Sequence, residues 1–260
     1  DNRVIAAAII GSDLMVYLTP VTFGGYSSEL KRMVDHQIQN ISPFFAQVAG
    51  ETHHQKRYQK HPDLLVVGWM DAPDAQAEAV FRHLVQRNAL NYHAKKSVSG
   101  IVIASQSDEE ILVLAQDWLN DLKSHQSANK AELPASGEHK IDATEIRRAL
   151  LLVGSPRTRK STSNSLGGYL FEQLSAHSIQ TETIYLHTVL HSPEKMHALF
   201  DAVDTADLVT LVFPLYVDSL PAPVIQALER IAAHRQGRET RRQLFTAIAN
   251  CGFPEAHHNA

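Results

Sequence analysis

Short apolar runs alternate along the chain with longer stretches in which apolar positions recur every three or four residues. Asp13 to Pro20 reads as a strand, and Ser27 to Ile41 then carries Leu30, Met33, Val34, Ile38 and Ile41 at helical spacing. Leu64 to Trp69 is a second strand, followed by a helix with Phe81, Leu84 and Val85. Val98 to Ala104 is a third, ahead of Asp108 to Leu122, where Ile111, Leu114, Trp118 and Leu122 share one face. This strand–helix rhythm predicts parallel sheets with helices on both sides.

The rhythm lapses from Ser124 to Ile146, where Ser, Asn, Lys, Glu, Pro134 and Gly137 replace any apolar period. A connection of that length inside one compact domain is unusual, so it reads as a linker between two units. Beyond it, Ala149 to Val153 is apolar throughout, as a strand buried on both faces is. A helix with Leu166, Leu170, Phe171 and Leu174 follows, then a short strand at Thr183 to Leu186 and a helix at Met196 to Val203. Asp207 to Pro214 is a strand, Val224, Ile225, Leu228 and Ile231 mark a helix, and Leu244 to Ala249 is the last strand. One internal similarity stands out: Asp13 to Pro20 resembles Asp207 to Pro214 at an offset of 194, which also pairs Leu30 with Val224 and Val34 with Leu228.

Composition narrows the classes. With 44% hydrophobic and 20% charged residues, the 260-residue chain can bury a core. A net charge of -4 argues against nucleic-acid binding through a broad basic surface. The single cysteine excludes an intrachain disulfide and multi-Cys zinc sites. The apolar runs Val4 to Ile10 and Ala149 to Val153 are too short to span a bilayer, and no secretory leader is visible. The expectation is a cytoplasmic protein without membrane contact.

Three loops carry candidate chemistry. Gly154-Ser155-Pro156-Arg157-Thr158-Arg159-Lys160-Ser161-Thr162-Ser163 leaves a buried strand and enters a helix. Backbone amides at the helix start, hydroxyls and Arg157 suit phosphate oxygens. The loop lacks the spacing of a P-loop or of G-x-G-x-x-G. The plainer alternative is a connection in which Ser163 or Asn164 caps the helix. Pro214 to Pro223 leaves an interior strand, stiffened by proline, with Tyr216 offering a flat face. Asn250-Cys251-Gly252-Phe253-Pro254-Glu255-Ala256-His257 follows the last strand; Gly252 suits close approach to a planar edge. Cys251 reads as a small buried residue rather than a nucleophile.

Together these loops make residues 147 to 260 resemble the flavodoxin-like NAD(P)H-dependent FMN reductases. G-S-P-R with the S-T-S run is similar to that family's phosphate loop, P-L-Y-x-x-x-L-P to its loop beside the isoalloxazine ring, and N-C-G-F-P-E to the loop along the ring edge. The resemblance implies that Ser155, Arg157, Ser161, Thr162 and Ser163 hold the FMN phosphate. It implies that Pro214, Leu215, Tyr216, Asn250 and Gly252 flank the ring. It also implies oxidoreductase activity that passes electrons from NAD(P)H through FMN to an unidentified acceptor, with the flavin doing the chemistry and no catalytic acid or base named. A homodimer is the family-level expectation for partners. The alternatives are a flavodoxin-type electron carrier and a flavin-free interaction module that keeps the fold.

Residues 1 to 123 resemble the C-terminal half of a related domain. Pro20 to Ser27 would be the counterpart of the Pro214 loop, with Gly24 and Gly25 admitting a ring and Phe23 or Tyr26 against its face. The fold expected is therefore α/β, with flavodoxin-like doubly wound parallel sheets in two incomplete copies: residues 1–123, a linker at 124–146, and 147–260 with the phosphate loop. The chain would then be a window from a longer tandem protein. Gly50 to His54 with Arg57 and Tyr58 forms a polar insertion, either a solvated loop or a contributor to a flavin, nicotinamide or dimer contact. The 15 histidines, including His53-His54 and His187/His191, show no metal-ligand spacing such as H-E-x-x-H. The cluster Arg235, Arg238, Glu239, Arg241 and Arg242 reads as a solvated connection, or as an attractor for a 2′-phosphate.

Overall fold

The computed structural model describes residues 2–48, 50–124, 146–239 and 242–253. Nearly all of the expected linker lies outside the described residues, as do Arg241, Glu255, Ala256 and His257. The chain divides into two compact units. Among the described residues, no helix is long and apolar enough to cross a membrane.

The first unit contains α1 (Asn2–Gly11), β1 (Leu14–Thr22), β2 (Gly25–Tyr26), α2 (Ser28–His36), β3 (Phe45–Val48), β4 (Glu51–His54), β5 (Asp63–Met70), α3 (Ala75–Asn91), β6 (Ser97–Ile103) and α4 (Asp108–Ser124). Its main sheet has the order β2-β1-β5-β6. Strands β1, β5 and β6 are parallel, and the two-residue β2 runs antiparallel to the end of β1. Met15, Tyr17, Leu64 and Val66 meet Val34 of α2 and Phe81, Leu84 and Val85 of α3 on one face. Leu65 and Val98 meet Leu122 of α4 on the other. Each fully buried side chain of this size contributes about 1.5–3 kcal/mol. Close approach requires two glycines: a Cβ on Gly68 would lie 2.6 Å from Val21, and one on Gly100 would lie 2.5 Å from Trp118.

Helix α2 is shorter than its apolar period predicts. Ser27 caps its start, accepting from the Leu30 amide, but after His36 the chain tightens into a 3-10 turn at Gln37–Asn40. Helical spacing persists through such a turn, so the period alone does not register the change. Helix α3 starts at an aspartate cap: Asp74 Oδ1 accepts from the amides of Gln76 and Ala77 at 3.0 and 2.9 Å.

The second unit contains β7 (Arg148–Val153), α5 (Thr162–Ala176), β8 (Gln180–Tyr185), α6 (Leu186–Val189), α7 (Pro193–Thr205), β9 (Leu208–Pro214), α8 (Ala222–Arg235) and β10 (Leu244–Asn250). The sheet order is β8-β7-β9-β10, all parallel. In chain order that is second-first-third-fourth, the flavodoxin-like winding expected. The alternating residues of β7 point two ways: Leu150 and Leu152 pack under α6, α7 and α8, while Ala149, Leu151 and Val153 pack against Phe171 of α5. This is why Ala149 to Val153 is apolar without alternation.

Two local expectations need correction here. The strand read at Thr183 to Leu186 runs from Gln180 to Tyr185, and Leu186 opens α6. Its first half is exposed and polar and pairs only with β7, so it carries little apolar signal. Leu166, one of the apolar positions that mark this helix in the chain, is 43% exposed; the helix docks through Gly167, where a Cβ would lie 2.7 Å from Leu151.

Candidate functional site

The apolar strand β7 ends at Gly154, whose amide donates to the carbonyl of Val212 at 2.7 Å. A Cβ at Gly154 would sit 2.4 Å from Val224 Cγ2, so only glycine lets the loop leave the sheet at this point. Ser155 is buried, and its Oγ accepts from the Arg157 amide at 3.4 Å. The chain then makes a single 3-10 turn at Thr158–Lys160. Thr158 takes φ 49, a left-handed conformation that costs a β-branched residue about 1–3 kcal/mol. Arg157, Arg159 and Lys160 all project as exposed side chains, and no acid lies between Gly154 and Asn164.

Ser161 is the N-cap of α5. Its hydroxyl donates to the Thr158 carbonyl at 2.7 Å and accepts from the Asn164 amide at 3.1 Å. The cap is thus Ser161, not Ser163 or Asn164. Thr162 is exposed on the first helical position. The first-turn amides of Thr162 and Ser163 have no carbonyl one turn earlier within the helix, and they sit at its positive end. Ser163 is 1% exposed and donates its hydroxyl to Asn250 Oδ1. Asn164, not among the residues expected to act, braces the loop: its Nδ2 donates to the Arg159 carbonyl at 3.3 Å, and its Oδ1 accepts from Tyr185 at 2.9 Å. Arg159 lies over the Tyr185 ring at 5.9 Å. The spacing of Asn164 and Tyr185 in the chain gives no sign of this pairing.

Asn250 ends β10 in register with Pro214 at the end of β9. Its side chain accepts from Ser163, and its carbonyl accepts from the Leu215 amide at 2.9 Å. One residue therefore ties the phosphate-type loop, the Pro214 loop and the last-strand loop together. Tyr216 is 38% exposed beside that junction. Gly252 is exposed; a Cβ there would meet nothing within 4 Å, so packing does not demand glycine. Cys251 is exposed, which corrects its reading as buried: it lies one residue past the last strand, beyond the sheet that would cover it.

Arg235 and Arg238 gather on Asp204. Arg238 Nη1 lies 3.2 Å from Asp204 Oδ2, Arg235 Nε lies 3.7 Å from Oδ1, and His234 Nε2 is 2.9 Å from Oδ2. A carboxylate thus already neutralises part of this basic cluster.

In the first unit, Phe23 and Tyr26 separate. Phe23 is 57% exposed at the tip of the β1–β2 turn. Tyr26 is fully buried, edge-on to Tyr17 and Phe81, and its hydroxyl donates to Asn88 at 2.9 Å. Tyr26 is a core residue and cannot present a face to a ligand; burial holds its phenol far above the usual range.

The insertion at Gly50 to His54 is also more than a solvated loop. It belongs to the β3–β4 hairpin, and His53 is 3% exposed. Its ring nitrogens lie 2.7 Å from Asn91 Oδ1 and 3.0 Å from Glu51, and Glu51 in turn takes Arg87. His93 Nε2 donates to the His54 carbonyl at 2.8 Å, and the His61 and His93 rings meet at 5.5 Å. Burial lowers the pKa of both His61 and His93 from their ordinary value. Polar residues on a short hairpin give little periodic signal, so this element is not legible in the chain.

Comparison with known proteins adds one match. Residues 147–257 match the family model described as NADPH-dependent FMN reductase. No curated protein matches the chain.

Proposed function

We propose, from the match of residues 147–257 to the family model described as NADPH-dependent FMN reductase, that the chain is an FMN-binding oxidoreductase that moves electrons from NAD(P)H to an acceptor. The observation that carries the site assignment is Asn250, whose side chain and carbonyl join the three loops at the carboxyl ends of parallel strands. Ligands in open α/β sheets bind at such strand ends.

The donor set suits a phosphate monoester. Arg157 supplies an exposed guanidinium, Thr162 an exposed hydroxyl, and the first turn of α5 its amides. Ser155, Ser161 and Ser163 complete this cradle, their hydroxyls also hydrogen-bonded to Arg157, to Thr158 and Asn164, and to Asn250 respectively. Pro214, Leu215, Tyr216, Asn250 and Gly252 border the region where a ring attached to that phosphate would extend. FMN, when bound, supplies the redox chemistry, and the protein supplies position and charge.

The domain reading follows the same line. Strands β1 and β9 start 194 residues apart, at Leu14 and Leu208, and helices α2 and α8 keep that offset, at Ser28 and Ala222. This supports the proposal that residues 1–123 derive from the C-terminal half of a related domain and 147–260 from the N-terminal half of another.

The test is to titrate FMN into the protein and follow quenching of flavin fluorescence. Arg157→Ala is expected to weaken FMN about 10- to 100-fold, the loss of one charge-assisted contact of about 1.5–3 kcal/mol. Riboflavin, which lacks the phosphate, should bind equally to the original and the variant. Equal FMN affinity in both would overturn the assignment.

A further inference from the structure

The first unit has a cleft of its own, of about 610 Å3, at the carboxyl ends of β1 and β5 and over the start of α3. We propose that this cleft binds a planar aromatic ligand that carries positive charge and no phosphate.

The turn that forms one wall is built at a conformational cost. Phe23 has φ 51 and Gly24 has φ 73, the pair of left-handed residues that a two-residue hairpin turn requires. Asn or Gly suits the first position; phenylalanine does not. Gly24 is pressed onto α3, where a Cβ would lie 2.8 Å from Val80, so the turn is held against the helix. The outcome is an aromatic ring presented to solvent from a braced turn, which adds little to the folding of the unit. Trp69, 44% exposed at the end of β5, supplies a second aromatic surface on the same cleft.

The charge of the cleft selects the ligand. Asp71 and Asp74 are the charged residues that line it among those described. A helix start facing a cleft would ordinarily favour an anion, but here Asp74 already takes the amides of Gln76 and Ala77. A phosphate would therefore meet two carboxylates and an occupied helix terminus. A delocalised cation would gain from the carboxylates and from both π faces.

The probe is proflavine, a planar diaminoacridinium cation, titrated into the full chain and followed by dye anisotropy. Saturable one-to-one binding is expected. Phe23→Ala should weaken it at least tenfold, and so should Trp69→Ala. Asp71→Asn with Asp74→Asn should do the same without unfolding α3, because asparagine caps as well as aspartate. Melting curves report whether each variant is folded, and the Phe23 change at the exposed tip leaves the core intact. FMN titrated to saturation should not displace the dye, and FMN affinity should be the same in all three variants, which separates this site from the second unit's. Undiminished proflavine binding in Phe23→Ala, displacement by FMN, or no saturable binding would each overturn the proposal.

Discussion

The two units place parallel strand ends under loops of opposite character. In the second, β7 opens into a loop with Arg157, Arg159, Lys160 and a series of hydroxyls, ahead of a helix capped by the neutral Ser161. In the first, β1 and β5 end at Phe23, Trp69, Asp71 and Asp74, and the helix start is capped by a carboxylate. The sheet is of one kind in both; the charge at its carboxyl edge is reversed by a handful of loop residues. Architecture thus decides where a ligand can sit, and the loops decide which one.

The strongest way to break the contrast is at Gly154. Gly154→Ala forces a Cβ against the β-branched Val224, with Phe213 Cβ 3.1 Å away on another side. It should destabilise the second unit by about 3 kcal/mol and abolish FMN binding, measured by thermal melting and flavin titration. Gly252→Ala, with open space around it, should leave the melting temperature within error.

A smaller effect should follow from Ser163→Ala, which removes the donor to Asn250 in a nearly closed site. A cost of about 1–2 kcal/mol is expected, with FMN affinity falling about 5- to 30-fold as the three loops lose their common tie. Proflavine binding to the first unit should not change.

Lowering the pH should destabilise the first unit. Burial lowers the pKa of His61 and His93 below 6.5, helped by each ring's neighbours, including His93 beside His61 and Lys56 beside both. Well above pH 6.5 both rings are neutral whether the chain is folded or not, so the full stability is present. As pH falls below that value the unfolded chain takes up protons that the folded unit resists, and stability declines until the folded pKa values are passed. Denaturant melts of the full chain between pH 7.5 and 5 should show this decline, and His61→Gln with His93→Gln should flatten it.

The smallest expected change is a gain. Thr210 lies fully buried in β9, and its hydroxyl has no hydrogen-bond partner. Thr210→Val keeps the shape and removes the unmet polar atom, so the second unit should gain about 1 kcal/mol, read as a higher melting temperature.

Much of this architecture is legible in the chain because burial repeats locally. The apolar run Leu14 to Leu18 marks β1 as a strand, though only the structure shows Val16 and Leu18 exposed, and the unbroken Ala149 to Val153 marks a strand covered twice. Gly154 between an apolar strand and a run of hydroxyl residues already points to an anion loop. Each of these signals lies within a few residues, where the geometry of one strand or one helix is enough to interpret it.

What the tertiary structure alone decided is which residues are spent on the scaffold. Ser161 and Ser163 read as equal phosphate ligands, yet one is the helix cap and the other is bonded to Asn250, 87 positions away. Phe23 and Tyr26 read as equivalent aromatics, yet one is at a turn tip and the other fills the core. Trp69, Asp71 and Asp74 acquire a role only when β1 and β5 are set side by side and α3 is laid over them. Hydrogen bonds and close contacts across such separations depend on how the chain closes on itself, and no local pattern of hydrophobic and polar positions encodes that closure.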